Sequence, residues 1–271
     1  FKIASSGRPG PVLIDIPKDV QFAKSKYIPK KDISFKEHRI KAGSKNVDKN
    51  FVQELVNHIK KSERPIFYFG VGCLNSGPQA SQELIKLVNK TNIPITTTLH
   101  GLGCFPGEDK SSLGMLGMHG NYEANLAMNK CDLMINVGAR FDDRVTGRLD
   151  AFSPDSVKFH IDIDQSSINK NVKVDFHTNT DITQTLKEIN SFIESNNIEL
   201  EKKDYTNWWG QINDWRKKEC LHYEQGEEII KPQHAISRLY DLTTQKDTFI
   251  TTEVGQHQMW AAQYYKFSKP N

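Results

Sequence analysis

The 271 residues carry 36 Lys and Arg against 33 Asp and Glu, a formal net charge of +3, and 37% of them are hydrophobic. That is enough apolar material for one large domain or two small ones, and the dispersed basic residues build no field that would attract nucleic acid or anionic lipid. No apolar run approaches the roughly 20 residues that cross a bilayer, and neither a signal peptide nor a transit peptide is visible.

PVLIDIP, at 11–17, is a continuous apolar run bounded by glycine and proline, the pattern of a buried parallel strand. The lysine-rich stretch behind it reads as a linker over 23–44. From 45 onward, strand and helix patterns alternate. VDKNFVQELVNHIKK puts Val52, Leu55, Val56 and Ile59 on one helical face. PIFYFGVG (65–72) predicts a strand ending in glycines, SQELIKLVNK (81–90) a helix and IPITTTL (93–99) a strand. NYEANLAMN (121–129) predicts a short helix, followed by strands in DLMINVGAR (132–140) and VKFHIDID (157–164). DITQTLKEINSFI (181–193) predicts a helix with Asp181 as N-cap.

A second linker is expected over 196–228, and within it DYTNWWGQINDWRKK is amphipathic, with Trp208, Trp209 and Trp215 placed to cover a domain surface. KPQHAISRLYDLTT, DTFITTEVG and QHQMWAAQYY then predict helix, strand and helix over 229–271. Repeated βα units with right-handed crossovers imply a doubly wound α/β fold over 45–195, a parallel sheet of about six strands with all carboxyl ends on one rim. The chain starts at Phe1 and runs straight into a strand with no core before it, and it stops soon after one strand and one helix of a new unit. The expectation is a fragment: the end of one domain (1–22), a complete middle domain (45–195) and the start of a third (229–271).

The four cysteines, Cys73, Cys104, Cys131 and Cys220, show no CxxC spacing, so a reducing compartment is expected rather than zinc or a disulfide framework. The nine histidines show no HExxH or other metal spacing.

The chemistry concentrates where strands run into loops. FGVGCLNSG (69–77) places small residues where a cofactor can approach the backbone, although an ordinary tight turn uses the same residues. LGMLGMHG (113–120) combines glycines with Met118, a polarizable surface for a planar ligand or simply a core methionine. In GARFDDRV (138–145), the arginines either contact a phosphate or carboxylate bidentately or pair with the adjacent aspartates in water. HIDID (160–164) ends a strand in acids, from which a carboxylate can accept ribose hydroxyls in dinucleotide folds. TTEVGQHQMW breaks a β-branched run with glycine just before a helix, a position suited to a diphosphate and equally an ordinary turn.

LGMLGMHG and VGARFDDRVTG, with SGRPGPVLIDIPKDVQ before them and VGQHQMWAAQYY after, resemble in wording and order the large subunits of acetolactate synthase, the flavin-carrying branch of the thiamine diphosphate enzymes. The resemblance spans nearly the whole chain. It implies the end of a pyrimidine-binding domain, a central FAD-binding domain and the start of a diphosphate-binding domain. By resemblance, FAD would contact Arg8, Gly70, Val71, Gly72, Thr98, Leu99, Leu116, Gly117, Met118, His119, Gly138, Ala139, Arg140, Asp142, Val145, Asp162, Ile163 and Asp181. Arg144, Met118 and Asp143 would face the substrate channel, Arg144 holding the carboxylate of the second 2-oxo acid, and Val254, Gly255, Gln256 and His257 would hold the thiamine diphosphate tail. Three positions depart from the family pattern: Val71 where three successive glycines are common, Asp162 where glutamate is common, and Thr180 rather than glycine before Asp181.

The activity implied is decarboxylation of pyruvate and its condensation with a second 2-oxo acid, the first common step of valine, leucine and isoleucine synthesis, with FAD structural rather than redox-active. The glutamate that promotes cofactor deprotonation and the Mg²⁺ ligands would fall outside these residues, so no catalytic residue is expected within them and the 271 residues alone are expected to be inactive. Implied partners are further large subunits, as a homodimer or homotetramer, and a small regulatory subunit, in the bacterial cytoplasm or the plastid stroma. Other flavin-containing relatives, a pyruvate oxidase or glyoxylate carboligase, and a non-catalytic nucleotide-binding or interface module remain alternatives.

Overall fold

The computed structural model describes residues 1, 4, 10–27 and 46–269. Six strands form one sheet in the order β3-β2-β1-β4-β5-β6: β1 (Pro65–Phe69), β2 (Ile95–Thr97), β3 (Ser112–Met115), β4 (Leu133–Val137), β5 (Val157–Asp162) and β6 (Phe176–Asn179). Every neighbouring pair is parallel. The central strands PIFYF and LMINV are buried at every residue, because a parallel sheet is covered on both faces.

The helices are α1 (Lys18–Phe22), α2 (Lys49–Lys61), α3 (Val71–Asn75), α4 (Pro78–Thr91), α5 (Tyr122–Lys130), α6 (Asp143–Thr146), α7 (Ile182–Ser195), α8 (Thr206–Arg216), α9 (Pro232–Thr243) and α10 (Gln256–Tyr264). The chain steps outward from β1 through β2 to β3, then crosses back to β4 and continues to β5 and β6. With right-handed crossovers, α4 (between β1 and β2) and α5 (between β3 and β4) lie on opposite faces. Helix α7 packs beside α4 and α2, and α8 packs beside α5. Reversal of the winding between β1 and β4 sends the connections after these two strands toward opposite faces of the sheet, the arrangement that places a crevice at the carboxyl ends.

Local sequence accounts for most of these elements. The Asp48 carboxylate caps α2 by accepting the Asn50 N–H at 2.9 Å, and Val52, Leu55, Val56 and Ile59 form its buried stripe. Asp181 caps α7, accepting the Gln184 N–H at 3.0 Å. Helix α4 begins with Pro78 and stops at Asn92 in the left-handed conformation. Helix α8 is fastened to the middle domain: the Trp208 indole N–H donates to the Pro65 carbonyl at 3.0 Å, and that of Trp209 to the Asn92 carbonyl at 2.9 Å. Trp208 and Trp215 also meet edge to face, so the tryptophans of 196–228 do cover a domain surface.

The structure departs from the sequence expectations at both ends. Residues 11–17 form no strand, and Leu13 and Ile14 are 92% and 78% exposed. Residues 247–255 form no strand either, with Phe249 and Val254 exposed. A strand needs a paired strand for its backbone donors and acceptors, and neither segment joins the sheet that the described residues form. The strand expected over 93–99 shortens to β2, because Leu99–Gly101 turn into 3₁₀ helix.

Candidate functional site

The loops that follow β1 and β4 are packed backbone to backbone. The Gly70 N–H donates to the Val137 carbonyl at 3.0 Å, and the Gly72 N–H to the Gly138 carbonyl at 3.1 Å. A Cβ on Gly70 would overlap the Gly138 carbonyl, and one on Gly72 would lie 2.7 Å from the Gly138 Cα. Gly138 itself sits at φ +68°. Below the turn, Asn136 of β4 donates to the Ala139 carbonyl at 2.8 Å and accepts the Ala139 N–H at 3.1 Å. Both polar backbone groups of buried Ala139 are thereby occupied.

Above this double turn lies a cleft of about 460 Å³ over the ends of β1, β4, β5 and β6. Seven residues expected to contact a cofactor line it: Val71, Gly72, Gly138, Arg140, Asp162, Ile163 and Asp181. Asn75, Ser76 and Ile182 complete the wall. Asp181 is fixed from two sides, since its second carboxylate oxygen accepts the Ser76 hydroxyl at 2.8 Å. Asp162 is buried, and its Oδ1 accepts the Asp164 N–H at 2.8 Å. The Asn179 amide donates to the Asp162 and Ile163 carbonyls at 3.1 and 2.8 Å, which ties the end of β5 to β6.

Arg140 and Asp142 form an exposed ion pair at 2.7 Å, of a kind that contributes about 0–1 kcal/mol. Behind them, burial pushes the Tyr68 phenol well above its ordinary range, and the Asp142 charge adds to the effect. Beneath α3 the thiols of Cys73 and Cys104 are buried. A hydrogen bond between them, together with burial, raises Cys104 well above the usual thiol range and keeps it neutral.

A second cleft of about 320 Å³ adjoins the first and shares Val71 and Asn75 with it. Leu99 and His100 line it from the β2 loop, and Gln258 and Ala261 from α10. Thr98 stands beside it, its N–H donating to the Phe69 carbonyl at 2.8 Å. Val254, Gln256 and His257 are exposed around the start of α10, with Gly255 as its N-cap.

The loop after β3 meets the loop after β4 at residues that line neither cleft. The Met118 N–H donates to the Arg144 carbonyl at 2.8 Å, and Gly117, at φ +108°, leaves no room for a Cβ against that carbonyl. Asn125 of α5 braces the turn through both the N–H and the carbonyl of Gly117. Leu116 is buried and Val145 partly buried, whereas Met118, His119, Asp143 and Arg144 are exposed at this rim. The side chain of Gln263 in α10 donates to the His119 carbonyl at 2.8 Å. Arg8 lies outside the described residues. Among the described residues, no group of three or more His, Cys, Asp or Glu could hold a metal ion, and no helix is long and apolar enough to cross a membrane.

Sequence reasoning missed Asn136, Ser76, Asn125 and Asn179, the side chains that hold the loops in place. Asn136 carried a signal, a polar residue inside the apolar run LMINV. The others stand in ordinary polar contexts.

The model of the family described as thiamine pyrophosphate enzyme, central domain, matches residues 52–189. The acetolactate synthase isozyme 3 large subunit of Escherichia coli (strain K12) is 40% identical over 273 residues, covering 100% of this chain and 46% of that protein. The Haemophilus influenzae acetolactate synthase large subunit is 38% identical, with the same coverage of 100% and 46%. Acetolactate synthase 1, chloroplastic, of Nicotiana tabacum is 42% identical over 271 residues, covering 100% of this chain and 39% of that protein. The chain thus spans somewhat less than half the length of these curated relatives.

Proposed function

Because the chain belongs to the thiamine pyrophosphate enzyme family through its central domain, and is homologous to acetolactate synthase large subunits along its whole length, we propose that the polypeptide is the large subunit of an acetolactate synthase. It would condense pyruvate, after decarboxylation, with a second 2-oxo acid. The observation that carries the cofactor side of this reading is the cleft at the switch point, where residues from four separated segments converge.

The residues present fit an adenine dinucleotide. Asp162 and Asp181 offer carboxylates for ribose hydroxyls, Arg140 offers a cation near a diphosphate, and the second cleft continues the path past Val71. Gly70 and Gly72 keep the floor flat, and Leu99, Leu116 to His119 and Val145 stand along the rim toward the flavin end. Arg8 would reach in from the preceding segment. Val254 to His257 would hold the diphosphate of thiamine diphosphate at the start of α10. When bound, thiamine diphosphate supplies the electron sink for decarboxylation, and its Mg²⁺ would be held by residues other than these.

Arg144 and Asp143, with Met118, would form the acceptor end of the channel. Their exposure fits a channel completed by another domain or subunit of a homodimer or homotetramer. A small regulatory subunit, and residence in a bacterial cytoplasm or plastid stroma, belong to the same proposal, as does inactivity of the 271 residues by themselves.

The test uses the complete polypeptide. The purified protein is expected to release FAD on denaturation, and a holoprotein without flavin would overturn the reading. Arg144→Lys keeps the charge but loses the planar two-point grip. Loss of one charged hydrogen bond, roughly 1.5–3 kcal/mol, predicts about a 10- to 150-fold change in acceptor use when 2-oxobutyrate and pyruvate compete. An unchanged product ratio with loss of bound FAD would make Arg144 a flavin ligand instead.

A further inference from the structure

His160 lies in β5, completely buried, and neither ring nitrogen has a hydrogen-bond partner among the described residues. Leaving a buried polar group unpaired is costly, so such a group calls for a reason. The nearest acid is Asp162, two residues on and therefore on the same face of the strand. Its Oδ2 stands 3.6 Å from the His160 Nε2, while its Oδ1 is held by the Asp164 N–H. The ring is clamped edge-on against Phe141, at 5.3 Å between centroids. Its register neighbour on β4, Asn136, is committed to Ala139 and offers nothing to it.

We propose that His160 is a positioning residue: its Nε2–H stands behind Asp162 and holds that carboxylate in the orientation that receives the ribose hydroxyls of the nucleotide. This rests on the FAD reading above. A small rotation of the carboxylate brings Oδ2 from 3.6 Å to a hydrogen-bond distance of about 3 Å. Oδ1 is then fixed by a backbone N–H and Oδ2 by the imidazole, and each keeps a lone pair for the cleft. One support is a backbone N–H and the other a ring packed in β5, so the acid meets the diol already oriented and loses little rotamer freedom on binding.

The experiment compares the complete wild-type polypeptide with His160→Phe, which keeps a flat ring without a donor, and His160→Gln, which keeps an N–H. Dissociation constants for FAD and for FMN, which lacks the adenosine ribose, are read from quenching of flavin fluorescence, and unfolding midpoints are taken without ligand. His160→Phe is expected to weaken FAD binding about tenfold and to leave FMN binding unchanged, with His160→Gln close to wild type. In the background of Asp162→Ala, His160→Phe should weaken FAD binding no further. Should His160→Phe fail to fold, His160→Leu takes its place in both comparisons. FAD binding as tight as wild type, equal loss of FAD and FMN, or full additivity with Asp162→Ala would overturn the proposal. A wild type that binds no FAD would overturn the FAD reading and this proposal with it, whereas tight wild-type binding with an indifferent His160→Phe overturns this proposal alone.

Discussion

Gly138→Ala puts the packing of the double turn to a quantitative test. At φ +68°, an L-residue is strained by about 1–2 kcal/mol. The added Cβ would lie 2.7 Å from the Gly72 Cα, 2.7 Å from the Ile182 Cδ1 and 3.0 Å from the Cys73 N. The Ile182 methyl can swing aside, but the other two atoms are backbone, and moving them moves the whole turn into α3. Overpacking of this kind costs about 1–3 kcal/mol, so the substitution should destabilise the middle domain by about 2–5 kcal/mol in all. Because the displaced turn carries Val71 and Gly72 into the cleft, FAD affinity should fall as well if the cleft holds FAD as proposed. Gly210→Ala is the control: this glycine is in the interior of α8 with no atom within 4 Å of the added methyl, so it should stabilise by about 0.5–1 kcal/mol. Urea unfolding followed by tryptophan fluorescence, with equal slopes for all proteins, measures both. A Gly138→Ala protein within about 0.5 kcal/mol of wild type and binding FAD normally would refute the view that the two loops are packed without slack.

Two further perturbations probe the scaffold. Trp208→Phe removes the indole N–H that satisfies the buried Pro65 carbonyl and should cost about 1–3 kcal/mol in urea unfolding, whereas the partly exposed Trp209 should tolerate the same change with a smaller loss; equal losses would contradict this ranking. Glu194 is held down to about 2 by hydrogen bonds from Lys90 and then Lys86. A carboxylate lowered in the folded state stabilises above its ordinary unfolded value near 4.5, and that contribution fades as pH falls toward 2. Glu194→Gln should therefore be less stable than wild type at neutral pH and low salt, with the gap closing in acid and in high salt. A gap that persists in acid would assign the loss to packing.

The strands legible from sequence were those buried on both faces. PIFYF and LMINV are continuous apolar runs because helices cover them above and below. The edge strands β3 and β6 were not individually legible: SLGM and FHTN are short and only half buried, so their side chains carry a weaker pattern. The opposite error occurred at 11–17 and 247–255. There an apolar or β-branched run advertises burial, but the pattern cannot say which strand provides it, and neither run pairs with a strand of the sheet that the described residues form.

For the site, the sequence marked the strand-end loops and left open what their glycines do. Read alone, the glycines of FGVG fit either close approach of a cofactor or an ordinary tight turn. In the structure Gly70, Gly72 and Gly138 first leave room for one another, because any Cβ among them strikes the opposing backbone. Val71 shows the same rule by exception. It stands where a glycine is common in the family that the sequence resembles, and it lines both clefts. Of the three successive positions, the two that are glycine are those where a Cβ would strike the β4 loop. The departure therefore keeps the glycines that the packed turn needs, and it falls at a residue that both clefts share.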